Sequence, residues 1–276
     1  MQTRQMMEGG GARGVLPSER RQNIVNEIIR RHTVTIVDLA RQFGVSEMTI
    51  RRDLHELEKT GLIESVHGGA KSASISPFEL SYAQREMMEA DAKRAIGQAA
   101  AALVQENDVI ALDGSTTTLQ VARNLIDREG LTVYTNGIKV ATELAHRPGI
   151  RIILTGGELY HSVSLVGLFA RSIFEKIRVD KLFLSVTGIT EELGLSGPSD
   201  VDADVKAAMI AAASQVILVA DYTKFGRKSY VRVAPLSAIH VVVTDEKCPS
   251  DYLRLLDAMG IRTIVAALDG KALAPA

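Results

Sequence analysis

The stretch with the most chemical character is Leu112-Asp113-Gly114-Ser115-Thr116-Thr117-Thr118. An apolar run, Val109–Leu112, precedes it and helical spacing follows, so it reads as the turn from a strand into a helix. Gly114 lacks a Cβ and lets a ligand come close to the backbone. The first N–H groups of a helix have no partner inside it, and with the helix dipole they suit an anion. Ser115, Thr116 and Thr117 add hydroxyls and Asp113 a carboxylate. Phosphate is the guest such a turn would hold; the same residues would equally make an ordinary Ser/Thr N-cap with no ligand. More candidates follow other apolar runs: Asn136 in Thr135-Asn136-Gly137, Gly156 and Gly157 before Glu158, Gly188 after Thr187, and Asp221 with Lys224. Lys206, on a helical stretch after Gly197, would supply positive charge to a phosphate. Each taken singly reads as a turn glycine or a solvated lysine. What joins them is a common place at strand ends, where open α/β sheets bind ligands.

A second constellation lies nearer the N-terminus. Ile50, Leu54 and Leu57 stand at i, i+4, i+7 and share one buried helix face. At about 100° per residue Arg52 lies opposite, flanked by Met48, Thr49, His55 and Glu56, with Arg51 at the side. A shorter helical stretch, Thr35 to Phe43, precedes this one and ends at Gly44; Ser46 is placed to cap the second, which runs from Glu47 to Thr60. Helix, glycine turn and helix with polar residues at its start is the geometry that enters the major groove, where an arginine pairs with guanine and lysine or arginine meets phosphate. On spacing alone a helical hairpin that binds no DNA, with solvated arginines, fits as well.

The elements that must position these residues alternate along the chain. Ile24, Val25, Ile28 and Ile29 predict a first helix with Ser18 as its N-cap. Leu62 to Val66 reads as a strand and His67-Gly68-Gly69 as a turn. Beyond the polar stretch 73–90, read as a linker, a helix is expected from Asp91 to Val104. Apolar strands are expected at 109–112, 131–135, 152–154, 181–186, 216–220, 239–244 and 263–266, with helices at 118–128, 138–146, 168–177, 201–213 and 250–258. Strands separated by helices imply an α/β fold with a doubly wound, mainly parallel sheet. The domains expected are a disordered tail 1–17 (which an upstream start codon would also produce), a helix-turn-helix unit 18–72, the linker 73–90 and an α/β domain 91–270.

Bulk properties exclude several classes. The 276 residues suggest two domains, and 46% hydrophobic with 24% charged residues is ordinary for a globular protein. A single cysteine, Cys248, permits no disulfide framework, and six scattered histidines suggest no metal cluster. The apolar runs are too short to span a bilayer and the first residues lack a signal-peptide core, so a cytoplasmic protein without membrane contact and without a cofactor is expected. Net charge is −1, so any case for DNA rests on local arrangement rather than on overall charge.

Both halves resemble DeoR-type regulators. In the first, the matching words are Glu19-Arg20-Arg21-Gln22-Asn23-Ile24, Leu39-Ala40-Arg41-Gln42-Phe43-Gly44-Val45-Ser46, Thr49-Ile50-Arg51-Arg52-Asp53-Leu54, Leu57-Glu58-Lys59-Thr60-Gly61-Leu62-Ile63 and His67-Gly68-Gly69-Ala70. In the second they include Asp113-Gly114-Ser115-Thr116-Thr117, Thr135-Asn136, Gly156-Gly157-Glu158, Asp180-Lys181, Val205-Lys206 and Lys224-Phe225-Gly226. The resemblance implies a helix-turn-helix over 34–53, a recognition helix over 46–59 and a wing over 62–70. Thr35, Ser46, Glu47, Met48, Thr49, Arg51, Arg52, His55 and His67 then face double-stranded operator DNA, although His67 would serve equally by closing its turn. It also implies a sensor domain similar to ribose-5-phosphate isomerase that binds a small phosphorylated sugar, a repressor of sugar catabolism released from DNA by that effector, and a homo-oligomer. This chain departs from the family pattern at Tyr222-Thr223, Thr190 and Ala207, where Ser, Asp and Arg are common. The alternative is a sugar-phosphate isomerase-like enzyme with an appended DNA-binding or interaction domain. It lacks support where the isomerases carry their carboxylates, because 186–190 holds none and Val205 precedes Lys206.

Overall fold

The computed structural model of the chain describes residues 16–31, 33–59, 63–72, 82–161 and 163–268. The chain divides into two units, Met1–Ser76 and Pro77–Ala276. Of the expected tail 1–17, residues 1–15 lie outside the described residues.

The first unit runs α1 (Pro17–Arg31), β1 (Thr33–Thr35), α2 (Ile36–Phe43), α3 (Glu47–Glu58), β2 (Ile63–Val66) and β3 (Gly69–Ser72). Helix α1 opens at Pro17, which corrects the expectation that Ser18 caps it. A proline at the first helical position lacks an N–H that would be unpaired there, and its φ is already helical. Thr35 caps α2 by accepting from the Asp38 N–H at 3.1 Å. Gly44 ends α2 with φ 63°, the left-handed conformation that glycine adopts without a Cβ clash. Ser46 caps α3 by accepting from the Thr49 N–H at 3.2 Å. Helix α3 stops at Glu58; the expected continuation to Thr60, the stop at Gly61 and the strand start at Leu62 lie outside the described residues. Ile24 and Ile28 of α1, Leu39 of α2 and Ile50 and Leu57 of α3 are buried together, each contributing roughly 1.5–3 kcal/mol by leaving water. Between α1 and α3 the Arg20 Nε donates to Asp53 Oδ2 at 2.6 Å, with both side chains nearly buried. The strands form an antiparallel sheet in the order β1-β3-β2, and pairing of Val66 with Gly69 leaves His67-Gly68 as the turn of the wing. Strand β1, three residues long, leaves no periodic signal in the sequence.

The second unit begins with α4 (Tyr82–Met87) and α5 (Ala90–Ala101). Helix α4 lies inside the stretch read as a linker, of which 73–81 are outside the described residues. Its short turn and a half buried through only Tyr82 and Gln84 hide it among polar neighbours. There follow β4 (Val109–Leu112), α6 (Thr116–Arg123), β5 (Leu131–Thr135), α7 (Ile138–Leu144), β6 (Ile150–Leu154), β7 (Glu158–Tyr160), β8 (Ser164–Val166), α8 (Gly167–Lys176) and β9 (Val179–Leu184). Then come β10 (Gly188–Thr190), β11 (Gly194–Gly197), α9 (Asp200–Ala212), β12 (Ala213–Val219), β13 (Val231–Ala234), β14 (Val241–Asp245), α10 (Ser250–Ala258) and β15 (Arg262–Ala266).

Seven of these strands build one sheet in the order β15-β14-β12-β9-β4-β5-β6, with every neighbouring pair parallel. The central strands carry unbroken apolar runs, Leu182–Leu184 in β9 and Val216–Val219 in β12, because both faces are covered there. Leu182, Leu184, Val216, Leu218 and Val242 point to one face, where α8 and α9 bring Phe174, Val205 and Met209. Phe183, Ile217, Val219, Val241 and Val243 alternate to the other, under Ile96 of α5, Leu119 of α6 and Val140 of α7. This is the doubly wound α/β architecture expected from the sequence. Two additions were not expected: the β7–β8 hairpin, and a small antiparallel sheet in the order β10-β11-β13. No helix among the described residues is long and apolar enough to cross a membrane.

Candidate functional site

A cleft opens at the carboxyl ends of β4, β9 and β12. Its base is Asp113, which is fully buried directly after β4. Asp113 Oδ1 accepts from the Ser115 N–H at 3.1 Å and the Thr118 hydroxyl at 2.8 Å, and Oδ2 accepts from the Ser185 N–H at 3.2 Å. Lys206 reaches in from α9. Its Nζ lies 3.4 Å from Asp113 Oδ2 and 3.0 Å from Asp202 Oδ2, and donates to the Ser185 carbonyl at 3.0 Å. Burial opposes the charge on Lys206, but Asp202 and Asp113 outweigh it and hold its pKa above the ordinary lysine value.

The turn into α6 does what both of its readings require. Ser115 caps the helix, its Oγ accepting from the Thr118 N–H at 3.1 Å. That leaves the N–H groups of Thr116 and Thr117 at the helix start, and Ser115, Thr116 and Thr117 all line the cleft. Five cations, Arg85, Lys93, Lys206, Lys224 and Arg227, line the cleft with four carboxylates, Glu89 and Asp221 beside them and Asp113 and Asp202 paired with Lys206. Asp221 is fully buried; burial would raise its pKa, yet Lys224 and Lys93 hold it below the usual carboxylate value. Lys224 Nζ is 3.8 Å from Asp221 Oδ2. Lys93 Nζ donates to the carbonyls of Arg85 and Met88, tying the end of α4 to α5. Burial pushes its pKa down to about 8. A half-enclosed site lined by helix N–H groups, hydroxyls and an excess of cations is suited to a phosphate-bearing molecule.

Of the residues singled out in the sequence, Asp113, Gly114, Ser115, Thr116, Thr117, Lys206, Asp221 and Lys224 line this cleft. Asn136, Gly156, Gly157 and Gly188 do not. Asn136 is fully buried and its Nδ2 donates to the Leu165 carbonyl at 3.0 Å, so it clamps the β7–β8 hairpin. Gly156 and Gly157 shape the exposed turn before β7. Gly188 is buried, its backbone packed on the Arg227 carbonyl. Gly114 serves a different neighbour than expected, since a Cβ there would sit 2.3 Å from Ser164 Oγ, so the glycine admits the hairpin. Arg85, Lys93, Ser185 and Arg227 escaped sequence reading. Arg85 sits in the stretch read as linker, and Ser185 was assigned to a strand that ends one residue earlier, at Leu184.

On the first unit, α3 presents an exposed face. Glu47, Met48, Arg51, Arg52 and His55 are exposed and Thr49 is half-buried. Arg51 lies 3.8 Å from Glu47, while Arg52 makes no ion pair among the described residues. Met48 retains 67% of its surface, unusual for a methionine unless something covers it. Thr35 and Ser46 are occupied as helix caps, and His67 is exposed at the tip of the wing. The face matches the geometry of a recognition helix.

Comparison with known proteins agrees with both halves. Residues 20–76 match the DeoR-like helix-turn-helix domain, and residues 88–246 match the DeoR C terminal sensor domain. The chain is 36% identical over 251 residues to the HTH-type transcriptional regulator GlpR of Haloferax volcanii, covering 91% of this chain and 98% of that protein. It is 33% identical over 253 residues to the HTH-type transcriptional regulator GolR of Listeria innocua, covering 91% and 100%. It is 34% identical over 255 residues to the transcriptional repressor AccR of Agrobacterium fabrum, covering 92% and 94%. Among solved structures, ribose 5-phosphate isomerase from Plasmodium falciparum overlaps 48% of this chain and 52% of its own, with 14% identity and a TM-score of 0.36, an overlap too loose to bear on ligand or activity. Its relatives are regulators along nearly their whole length, and the chain belongs to the DeoR family of DNA-binding transcriptional regulators rather than to the enzymes.

Proposed function

We propose that the chain is a cytoplasmic homo-oligomeric repressor of a sugar catabolism operon, and that a small phosphorylated sugar in the cleft of the second unit releases it from operator DNA. The observation that carries the reading is the N-terminus of α6 facing five cations across a cleft at the strand ends. The phosphate sits on the N–H groups of Thr116 and Thr117, with Lys224, Lys93 and Arg85 supplying charge. Arg52 reads a guanine edge and Arg51 meets the backbone. Pairing of two half-sites across a twofold axis calls for at least a dimer. The name of AccR, a transcriptional repressor, supports the sign of regulation. The effector shifts the DNA equilibrium only by as much as its affinity differs between the DNA-bound and free arrangements.

A thermal-shift screen of sugar phosphates against their unphosphorylated parents tests the cleft. A ligand at one hundred times its Kd adds about 2.7 kcal/mol to the native state, roughly 5–10 °C for a unit of this size. Stabilisation by a phosphorylated sugar and not by its parent is the expected result; equal stabilisation by the parent, or none across the panel, refutes the reading.

A further inference from the structure

The cleft has a second lobe that the phosphate leaves unused. It shares Arg85, Ser115, Thr187 and Lys206 with the cationic lobe, and continues to Tyr160, His161, Ser164 and Asp202. Its character is opposite: Asp113 and Asp202 balance Arg85 and Lys206, and the rest of the polar lining is uncharged hydroxyl and ring. Asp113 is saturated by its three donors and Lys206. Asp202 is not. One oxygen meets Lys206, and the other has no hydrogen-bond partner among the described residues, although Asp202 is only 8% exposed. That oxygen opens into the lobe and is an acceptor available to a ligand's donors.

The wall facing Asp202 is held in place. The Leu165 N–H donates to the Asn136 carbonyl at 2.7 Å and the Ile138 N–H to the Val163 carbonyl at 2.8 Å, while Ser164 fills the space beside Gly114. At its end His161 takes a left-handed backbone, φ 47°, uncommon for a residue with a Cβ, and its ring stands edge-on to Tyr160 at 4.1 Å. Neither ring has a hydrogen-bond partner among the described residues, and both line the lobe.

We infer that Asp202, His161 and Tyr160 form a specificity subsite that reads the end of the effector distal to its phosphate, and that this end carries hydroxyls rather than a carboxylate. The inference rests on the reading of the first lobe as the phosphate site. Sugar hydroxyls donate to the open oxygen of Asp202 and pack on the His161 and Tyr160 rings, whereas a sugar-acid carboxylate has no proton to donate to that oxygen and is repelled by it. Aldose and ketose phosphates therefore fit, and aldonic acid phosphates of the same length do not.

The test is calorimetric titration of the full chain with inorganic phosphate, a set of aldose and ketose phosphates, and the matching aldonic acid phosphates. The wild type is expected to prefer its best sugar phosphate over the matching acid by at least about tenfold. Asp202→Asn should bring that preference below about threefold, and His161→Ala, at an exposed position, should weaken the preferred sugar phosphate about tenfold while inorganic phosphate binds His161→Ala as it binds the wild type. Wild-type selectivity in both variants, or a wild-type preference for the acid, overturns the subsite. Failure of the wild type to bind inorganic phosphate and every sugar phosphate overturns the phosphate lobe instead, and the subsite with it.

Discussion

Replacing Lys206 with methionine separates the stability of the cleft from its ligand chemistry. The side chain keeps its length and loses its charge, leaving Asp113, fully buried, and Asp202, nearly so, without the cation they share at 3.4 and 3.0 Å. Removing one member of a buried pair costs about 3–5 kcal/mol, because the partner charge stays behind in a poor solvent. Asp113 keeps three donors, so the lower end applies, and at about 2–4 °C per kcal/mol the second unit should melt roughly 6–12 °C lower. Adding Asp113→Asn should recover part of the loss, a coupling that independent sites do not show. Differential scanning calorimetry on the wild type, both single variants and the double variant measures all of this. A melting temperature within a degree of wild type, or Asp113→Asn adding to the damage in full, refutes the reasoning.

Three further outcomes are expected. Lys93 gives up its proton near pH 8 in the folded chain against 10.5 for an ordinary lysine, so between those values the unfolded chain binds more protons and folding stability rises with pH; over pH 7 to 9 the cleft loses that charge while phosphate stays dianionic, and affinity for a sugar phosphate should fall toward about a tenth, whereas Lys93→Met should bind weakly and without that dependence in calorimetric titrations. Arg52→Ala should weaken operator binding by about 1–3 kcal/mol without shifting the melting temperature, since Arg52 is exposed and makes no ion pair among the described residues; fluorescence anisotropy showing unchanged affinity removes Arg52 from the interface. Gly44→Ala should cost about 1–2 kcal/mol, through the left-handed backbone alone because nothing lies within 4 Å of the added Cβ, and hydrogen exchange of the α2 and α3 amides should speed up accordingly.

The fold was legible where periodicity is strong. Strands buried on both faces announce themselves as runs such as Val216–Val219, and the cap Ser46 and the stop at Gly44 mark the helix-turn-helix by local chemistry alone, whereas Thr35, expected as the first residue of the second helix, is its cap. Three-residue strands such as β7, β8 and β10 offer no period to read, and their pairing is fixed by partners elsewhere in the chain. The same limit governs the cleft. Asp113, Ser115 and Lys224 lie at strand ends and were found by that rule, but Arg85, Lys93 and His161 matter only through tertiary neighbours. Asn136 and Gly188 stand at strand ends too, and spend their chemistry on holding the hairpin and admitting Arg227.

The most direct measurement is operator release. A duplex selected from random sequence by the wild-type chain, labelled and followed by anisotropy, is titrated with the sugar phosphate that stabilises the protein, its unphosphorylated parent and inorganic phosphate, using wild type and Lys224→Met. The sugar phosphate should weaken operator binding by the wild type at least fivefold, a coupling of about 1 kcal/mol, with the parent inert and Lys224→Met bound to the operator but unresponsive. Release by the unphosphorylated parent, or undiminished release of Lys224→Met, would contradict that expectation.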